Sequence, residues 1–269
     1  MVIKKPKNKK IFIGIFMIVI ILFTIIFSEV LAPNNPNLNN LSHRFEKSSN
    51  KYPLGTDQFG RCILSRLIFG GYNTFSVVII VIIFSAVIGI TLGVISGYYG
   101  GLIDRILSGL FDIFMSFPPF IYVMALIGVM GGSKTTLTVA LILGSWAYST
   151  KTIRTQVQIE NNKLYIKSAR IAGSSNFSII TKHILPSIMP NIIIFFSLQL
   201  GGLILEVSAF SFLGVGLGGN VPEWGMMIST AKEYILTNKQ LMIYPGLCIF
   251  FTVFAFNILA EGIREIYQI

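Results

Sequence analysis

Apolar runs long enough to cross a lipid bilayer recur along this sequence and decide its class. The first run, Ile11 to Ser28, is 18 residues long, close to the roughly 20 residues that a membrane-spanning helix needs. Only 12% of the 269 residues are charged, whereas a soluble domain carries about 25%. Because no convincing secretory cleavage site follows the first run, we expect it to remain as a membrane helix. The sequence therefore predicts an all-α integral membrane protein.

Six apolar stretches predict six transmembrane helices. Their predicted bounds are 11–30, 73–97, 104–130, 136–151, 190–212 and 241–259. Six crossings place both termini on one side of the membrane, and lysine and arginine are enriched on the cytoplasmic side. With both termini inside, 13 lysines and arginines lie inside and eight outside. The charge distribution therefore predicts cytoplasmic termini.

The predicted chain is a basic cytoplasmic tail followed by one transmembrane domain. The tail covers 1–10 and the domain 11–269, with outer loops at 33–72 and 213–240 and a cytoplasmic loop at 152–189. The net charge of +10 comes from lysines and arginines gathered at the membrane flanks. We therefore expect a lipid bilayer, and no nucleic acid, as the partner of this charge.

The first outer loop contains a turn-rich stretch, Tyr52 to Arg61, followed by a short apolar pattern. Positions 63, 64, 67 and 68 share one helical face, and Arg61 and Arg66 lie off it. Such a pattern is typical of a helix that lies along a membrane surface. The sequence therefore predicts a surface helix over 62–69.

Gly89, Gly93 and Gly97 recur at every fourth position of the second predicted helix. This small-xxx-small pattern lets a neighbouring helix approach closely. The alternative is that glycine is simply frequent in membrane helices.

Two acids and one proline pair are the candidates for a transport pathway. Asp112 lies two turns after Arg105, and we expect it to pair inside the bundle. The residues Phe117, Pro118 and Pro119 predict a break in the third helix, which membranes tolerate where the backbone is buried or lines a cavity. Glu206 lies in the fifth helix. A packing kink at the prolines and a satisfied interhelical hydrogen bond at Glu206 remain the alternatives.

The segment Asn162 to Asn191 is the longest polar interruption in the second half of the chain. It contains three lysines, one arginine and one histidine, and no aspartate or glutamate. The pattern predicts two short helices broken at Gly173, Ser174 and Ser175. A polar segment between membrane spans needs a solvated face or a docking partner, and we predict a docking element.

Several other functions are excluded or weakened by what the sequence lacks. The stretch from Gly128 to Thr135 resembles a P-loop, but Ser133 replaces its second glycine and no soluble strand precedes it. We therefore expect no ATP on this chain, no cofactor of its own and no metal site. An enzyme would need clustered His, Cys, Asp or Glu, and Cys62 and Cys248 lie far apart. A secondary transporter or channel stays open, with only Asp112 and Glu206 as coupling groups.

Three patches of the sequence resemble inner-membrane permeases of ABC importers in the dipeptide, oligopeptide and nickel class. The first is Leu54-Gly-Thr-Asp-Gln-Phe-Gly-Arg61 with Leu64-Ser-Arg66-Leu, whose outer-loop motif residues are Gly55, Thr56, Asp57, Gly60 and Arg61. The second is Lys167-Ser-Ala169-x-x-x-Gly173, then His183-x-Leu185-Pro186 after nine further residues. The third comprises Ser211-Phe-Leu-Gly-Val-Gly216, Trp224-Gly225, Tyr244-Pro-Gly246 and Phe256-Asn257. The likeness covers residues 52–265.

The resemblance implies half of a translocation pore rather than an enzyme. It implies a second permease, two ATPase subunits that use ATP, and an external binding protein. It also implies a coupling helix between the fourth and fifth spans that sits in a groove on an ATPase. The coupling residues that it implies are Leu164, Tyr165, Lys167, Ser168, Ala169, Arg170, Gly173, His183, Leu185 and Pro186.

The departures from the family pattern affect the coupling segment and the outer loop. Lys167 replaces the family's glutamate and Ser168 an alanine, so a salt bridge from that glutamate to the ATPase is not carried over. Cys62 stands where an acid is common. The stretch around Glu223 and Tyr244 looks most like nickel-type permeases, so nickel or a nickel chelate is the expected cargo and short peptides are the alternative. Because the predicted spans contain no histidine, we expect metal selection to occur on the binding protein.

Overall fold

A computed structural model of the chain describes residues 9–218 and 220–267. Most of the predicted basic tail, 1–10, therefore lies outside the described residues. The described part is helical and contains no β-strand, which agrees with the predicted all-α class. Its α-helices are α1 (Lys9–Ile26), α2 (Ser28–Leu31), α3 (Ile63–Tyr99), α4 (Gly101–Met115), α5 (Pro119–Met130), α6 (Lys134–Asn161), α7 (Leu164–Ile171), α8 (Asn176–Ile179), α9 (Leu185–Phe212), α10 (Trp224–Ala231) and α11 (Gln240–Tyr267).

The helix bundle has two ends, which we call the terminal end and the loop end. At the terminal end Lys10, in α1, forms ion pairs with Glu261 and Glu265 of α11. The α3–α4 turn and the segment 162–184 lie at this end as well. The loop end holds the connections 32–62, 131–133 and 213–223, and Arg61 donates a 2.9 Å hydrogen bond to Asn220 between two of them.

Four continuous helical stretches are long and apolar enough to cross a membrane. They are α1, α3, the run from Asn176 to Phe212, and α11. The pair α4 and α5, bent by 71°, makes a fifth span if it is counted as one. The remaining helix, α6, carries four charged residues and packs many of its side chains inside the bundle. The structure therefore supports four or five apolar spans. A sixth membrane crossing, as predicted, would have to be α6.

The predicted surface helix over 62–69 is wrong. Helix α3 runs without a break from Ile63 to Tyr99, a length of 37 residues or about 55 Å, well beyond the roughly 30 Å of bilayer hydrocarbon. Ile63 and Leu67 are buried, and the Leu67 carbonyl accepts a 2.9 Å hydrogen bond from the indole of Trp224. The apolar face of this stretch thus packs on protein rather than on lipid.

The cytoplasmic loop predicted over 152–189 is mostly helix. Helix α6 continues to Asn161, and α8 passes through a π-helical segment, Ile180–Ile184, directly into α9. The reason is a shared apolar cluster in which Ile179, Ile184 and Ile188 pack with Ile153 of α6. Only residues 162–175 lie off the two long helices, so the second predicted short helix is the first part of the fifth span.

The glycine stripe and the proline break are confirmed. A Cβ at Gly93 would lie 2.9 Å from the Thr150 carbonyl oxygen, and one at Gly97 would lie 2.7 Å from that of Arg154. The three glycines therefore hold α3 against α6, which runs parallel to it. The break between α4 and α5 falls at residues 116–118, immediately before Pro119.

Candidate functional site

Helix α7 projects from the terminal end and ends in a glycine turn. Gly173 adopts a φ of 83°, a left-handed conformation that glycine adopts freely. Its N–H donates to the Arg170 carbonyl, and the Ser174 N–H donates to the Ala169 carbonyl, each at 3.1 Å. These two bonds form a Schellman motif, which terminates helices at a left-handed residue. The predicted break at Gly173 is therefore present.

Contacts with α6 hold α7 in place. Ile166 is fully buried in the cluster beneath it. Glu160, at the end of α6, accepts a hydrogen bond from the Tyr165 hydroxyl and forms a 2.8 Å ion pair with Lys163. The hydrogen bond to Glu160 raises the pKa of Lys163. Burial, together with the bond to Glu160, raises the pKa of Tyr165. At neutral pH Lys163 is therefore positively charged and Tyr165 is neutral.

The outer face of this segment combines exposed apolar side chains with positive charge. Leu164 is 81% exposed, Ile171 88% and Phe177 77%. We call this face the coupling surface, and its exposed members are Leu164, Lys167, Ser168, Arg170, Ile171, Phe177 and Lys182. No acid lies between residues 162 and 191. Exposed apolar side chains in a polar segment are typical of an interaction surface, and this one carries a net positive charge.

The other predicted coupling residues lie beside this surface rather than on it. Ala169 and His183 are half-buried, and the His183 ring lies 6.3 Å from that of Tyr165. Leu185 packs against the apolar cluster under α7, while Pro186 is exposed on the first turn of α9. Leu185 therefore packs beneath the segment, whereas Pro186 does not.

The α4–α5 break is exposed and bordered by aromatic rings. Phe117, Pro118 and Pro119 are all exposed. The Tyr122 hydroxyl donates a 2.8 Å hydrogen bond to the Phe114 carbonyl across the break. Asp112 forms a 2.8 Å ion pair with Lys151, and both side chains are about half exposed, at 61% and 46%. Asp112 therefore pairs within the chain, as expected, but at its surface rather than in its interior.

Glu206 is exposed on α9 and makes no hydrogen bond or ion pair with any described residue. The predicted alternative, a satisfied interhelical hydrogen bond, is therefore absent from the described chain. Glu206 shares its helical face with other exposed residues, which are Leu198, Gly202, Leu205, Ala209 and Leu213. A carboxylate at this position in a span is costly against lipid, so this face meets protein or water.

The outer-loop motif is a buried structural clasp. Asp57 accepts hydrogen bonds from the Phe59 and Arg61 N–H groups at 2.8 and 2.9 Å, and from the Arg61 guanidinium at 2.7 Å. Arg66 approaches the same carboxylate at 3.6 Å. Both arginines and Asp57 are thus buried, with Asp57 shared between the arginines, and Arg61 donates further to Asn220 and Arg66 to the Pro36 carbonyl.

The remaining motif residues shape the backbone of this clasp. Gly55 and Gly60 have φ values of 79° and 72°, and a Cβ on either would collide with a backbone oxygen. The Thr56 hydroxyl accepts a 2.8 Å hydrogen bond from the Glu46 N–H and donates to the His43 carbonyl.

Sequence reasoning missed the role of Glu223. Its carboxylate caps α10 by accepting a 2.9 Å bond from the Met226 N–H, and it accepts a 3.1 Å bond from the Thr74 hydroxyl of α3. Burial raises the pKa of Glu223 despite these hydrogen bonds. Glutamate is an uncommon N-cap, so the sequence carried no strong signal for this role. Among the described residues no group of three or more His, Cys, Asp or Glu could hold a metal.

Comparisons with known proteins agree on one family. The family profile described as "Binding-protein-dependent transport system inner membrane component" matches residues 89–268. The dipeptide transport system permease protein DppC of Alkalihalophilus pseudofirmus is 32% identical, over 96% of this chain and 85% of its own. The glutathione permease GsiD of Pectobacterium atrosepticum is 31% identical, over 94% and 84%. The nickel permease NikC of Escherichia coli K12 is 28% identical, over 94% and 91%.

A solved structure shares the fold. The inward-facing MetNI methionine ABC transporter contains a chain that matches with a TM-score of 0.61 and 20% identity, covering 77% of this chain and 97% of the other.

Proposed function

Because the chain belongs to the family of binding-protein-dependent transport system inner membrane components, as a multi-pass membrane permease of an ABC importer, we propose that it forms half of a translocation pathway. A second permease would supply the other half. Two ATPase subunits would bind and hydrolyse ATP, and an external protein would deliver the cargo. The chain itself would need no cofactor.

The observation that carries this proposal is the coupling surface. An ATPase groove lined with carboxylates would accept the exposed Leu164, Ile171 and Phe177 together with Lys167. The terminal end would then face the cytoplasm, in agreement with the lysine and arginine distribution. α6 would be the sixth crossing. Lys167 stands where the family has glutamate, so the docking contact would rest on apolar shape and on positive charge.

The face of α9 around Glu206 would meet the second permease or the pathway between the two. A carboxylate here favours positively charged cargo. Nickel or a nickel chelate is our first candidate on the resemblance of the C-terminal third. A dipeptide is the second candidate. It is a zwitterion whose amino group could meet Glu206, and the dipeptide permease is 32% identical to this chain against 28% for the nickel permease.

Uptake of labelled nickel and of labelled dipeptide in cells lacking this gene tests the cargo. Loss of nickel uptake that returns with the gene supports the first candidate, and loss of peptide uptake alone replaces it with the second. Purification of the chain with its ATPase partners tests the coupling. A chain that transports either cargo without ATP would contradict the proposal and favour a secondary transporter.

Glu206→Gln tests the pathway itself. Since Glu206 has no partner within the described chain, the substitution should leave the fold of this chain intact and lower uptake of a cationic cargo. Glu261→Gln, at an exposed glutamate of the terminal end, is the matched control. Equal uptake in the two variants would place Glu206 outside the pathway.

A further inference from the structure

The carboxylate of Asp104 joins three helices at the terminal end. Arg154 of α6 holds it with two nitrogen atoms, Nη2 at 2.6 Å from Oδ2 and Nε on Oδ1. The hydroxyl of Ser96, near the end of α3, also donates to Oδ1. Gln158 of α6 and Ser108 of α4 add longer bonds, each of 3.4 Å. Two parallel hydrogen bonds between a guanidinium and a carboxylate fix the relative orientation of the two side chains and strengthen their contact.

Apart from this contact, α4 packs on the bundle through one small apolar cluster, to which it contributes Leu107, Phe111 and Phe114. Phe111 is its one buried residue among the described side chains, packed against Trp146. The second ion pair to α6, between Asp112 and Lys151, is exposed, and exposed pairs contribute little. The Asp104–Arg154 contact is thus the principal polar attachment of α4.

Both ends of α4 are breaks in the helical backbone. Gly100 precedes it and Gly101 is its first residue, with φ values of 66° and 58°, and a Cβ on either would meet no atom within 4 Å. The 71° bend before Pro119 follows it. A rigid helix between two such breaks can pivot unless a side-chain contact holds it.

The same helix, α6, also carries the contact to the coupling surface. Glu160 binds Lys163 and Tyr165 at the base of α7, and Arg154 lies less than two turns before Glu160. A displacement of α7 that moves the end of α6 therefore moves Arg154 with it.

We propose that the Asp104–Arg154 pair is the positioning contact that makes α4 follow α6, so that movement at the coupling surface reaches the α4–α5 bend. This inference rests on the proposed function. Neither residue touches the cargo or ATP. Each acts through the other. Without their contact α4 keeps the apolar packing on Trp146 and the exposed Asp112–Lys151 pair, and it follows α6 less closely as it pivots at Gly100 and Gly101.

The test uses the complete transporter in proteoliposomes, with labelled nickel or labelled dipeptide, whichever the wild type carries. The measured quantity is cargo imported per ATP hydrolysed. Asp104→Asn and Arg154→Met should each lower this ratio about tenfold, and the double variant should fall no further, since the two residues share one contact. The KM for ATP should not change. Arg264→Gln, which removes an exposed arginine of the same end, should keep the wild-type ratio.

A wild-type ratio in Asp104→Asn, or losses that multiply in the double variant, overturns the proposal. Arg154→Lys keeps the charge but not the two-pronged contact, and it should give an intermediate ratio. If the other variants fail to accumulate, Arg154→Lys alone is measured. A wild-type ratio in Arg154→Lys then overturns the proposal. A wild-type complex that imports nothing with ATP would instead contradict the proposed function.

Discussion

Substitution of Gly173 by valine tests whether the predicted docking segment needs glycine for its left-handed turn or for its small size. The left-handed φ of 83° at Gly173 costs an L-residue about 1–2 kcal/mol, and a β-branched residue adopts it poorly. A Cβ at this position would meet no atom within 4 Å. Valine therefore strains the backbone of the turn and clashes with nothing in the chain.

The size of the effect follows from how weakly α7 is held. An eight-residue helix is too short to be stable alone in water, and α7 buries only Ile166. A strain of about 1–2 kcal/mol changes a two-state population by about 5- to 30-fold. We therefore expect Gly173→Val to lower ATP-driven uptake at least fivefold, within that range, because fewer molecules present the coupling surface correctly.

Asparagine supplies the matched control, since it is close to valine in size but tolerates the left-handed region. Gly173→Asn should retain most of the uptake that Gly173→Val loses. Uptake, ATP hydrolysis and co-purification of the ATPase are measured on all three proteins. Equal losses in the two variants would mean that bulk in the partner's groove matters and the turn does not. Normal uptake and assembly in Gly173→Val would refute the coupling role of this segment.

Two further predictions concern the stability of the purified protein, followed by thermal unfolding in detergent. Gly93→Leu should destabilise by about 1–3 kcal/mol through overpacking, while Gly109→Leu, where a Cβ would meet nothing within 4 Å, should have a small effect; similar losses would show that α3 and α6 do not depend on close approach. Asp57→Asn should lower the free energy of unfolding by about 3–5 kcal/mol, because it leaves Arg61 buried without its charge partner. Glu261→Gln, at an exposed ion pair, should lower it by under about 1 kcal/mol. A small loss of stability in Asp57→Asn would mean that water solvates the clasp.

Local signals in the sequence predicted the features that depend on one residue type. The proline pair at 118–119 predicted the α4–α5 break, because each proline lacks an N–H donor and pushes the residue before it out of the helical region. Single prolines do not have this effect here, since Pro190 and Pro245 lie inside α9 and α11. Gly89, Gly93 and Gly97 predicted close helix packing, because a missing side chain is visible in the sequence itself. The turn at Gly173 followed from glycine for the same reason.

Helix ends were predicted less well because charged residues were taken as the limits of the spans. Arg66 and Arg154 both lie inside long helices, contrary to the predicted bounds. Each is paired with a carboxylate from elsewhere in the chain, Arg154 with Asp104 and Arg66 with Asp57, which Arg66 shares with Arg61. Such pairing depends on the fold, so hydropathy read along the sequence cannot reveal it.

The two glutamates at 206 and 223 show how partners decide the role of an acid. Glu223 is fully buried and its carboxylate is occupied by the α10 backbone and by Thr74, so its role is structural. Glu206 lies on an apolar face of a span and has no partner among the described residues. A carboxylate in a membrane span is costly against lipid, and no described residue offers Glu206 a hydrogen bond or an ion pair. The proposed function therefore assigns this exposed face of α9 to the second permease or to the pathway.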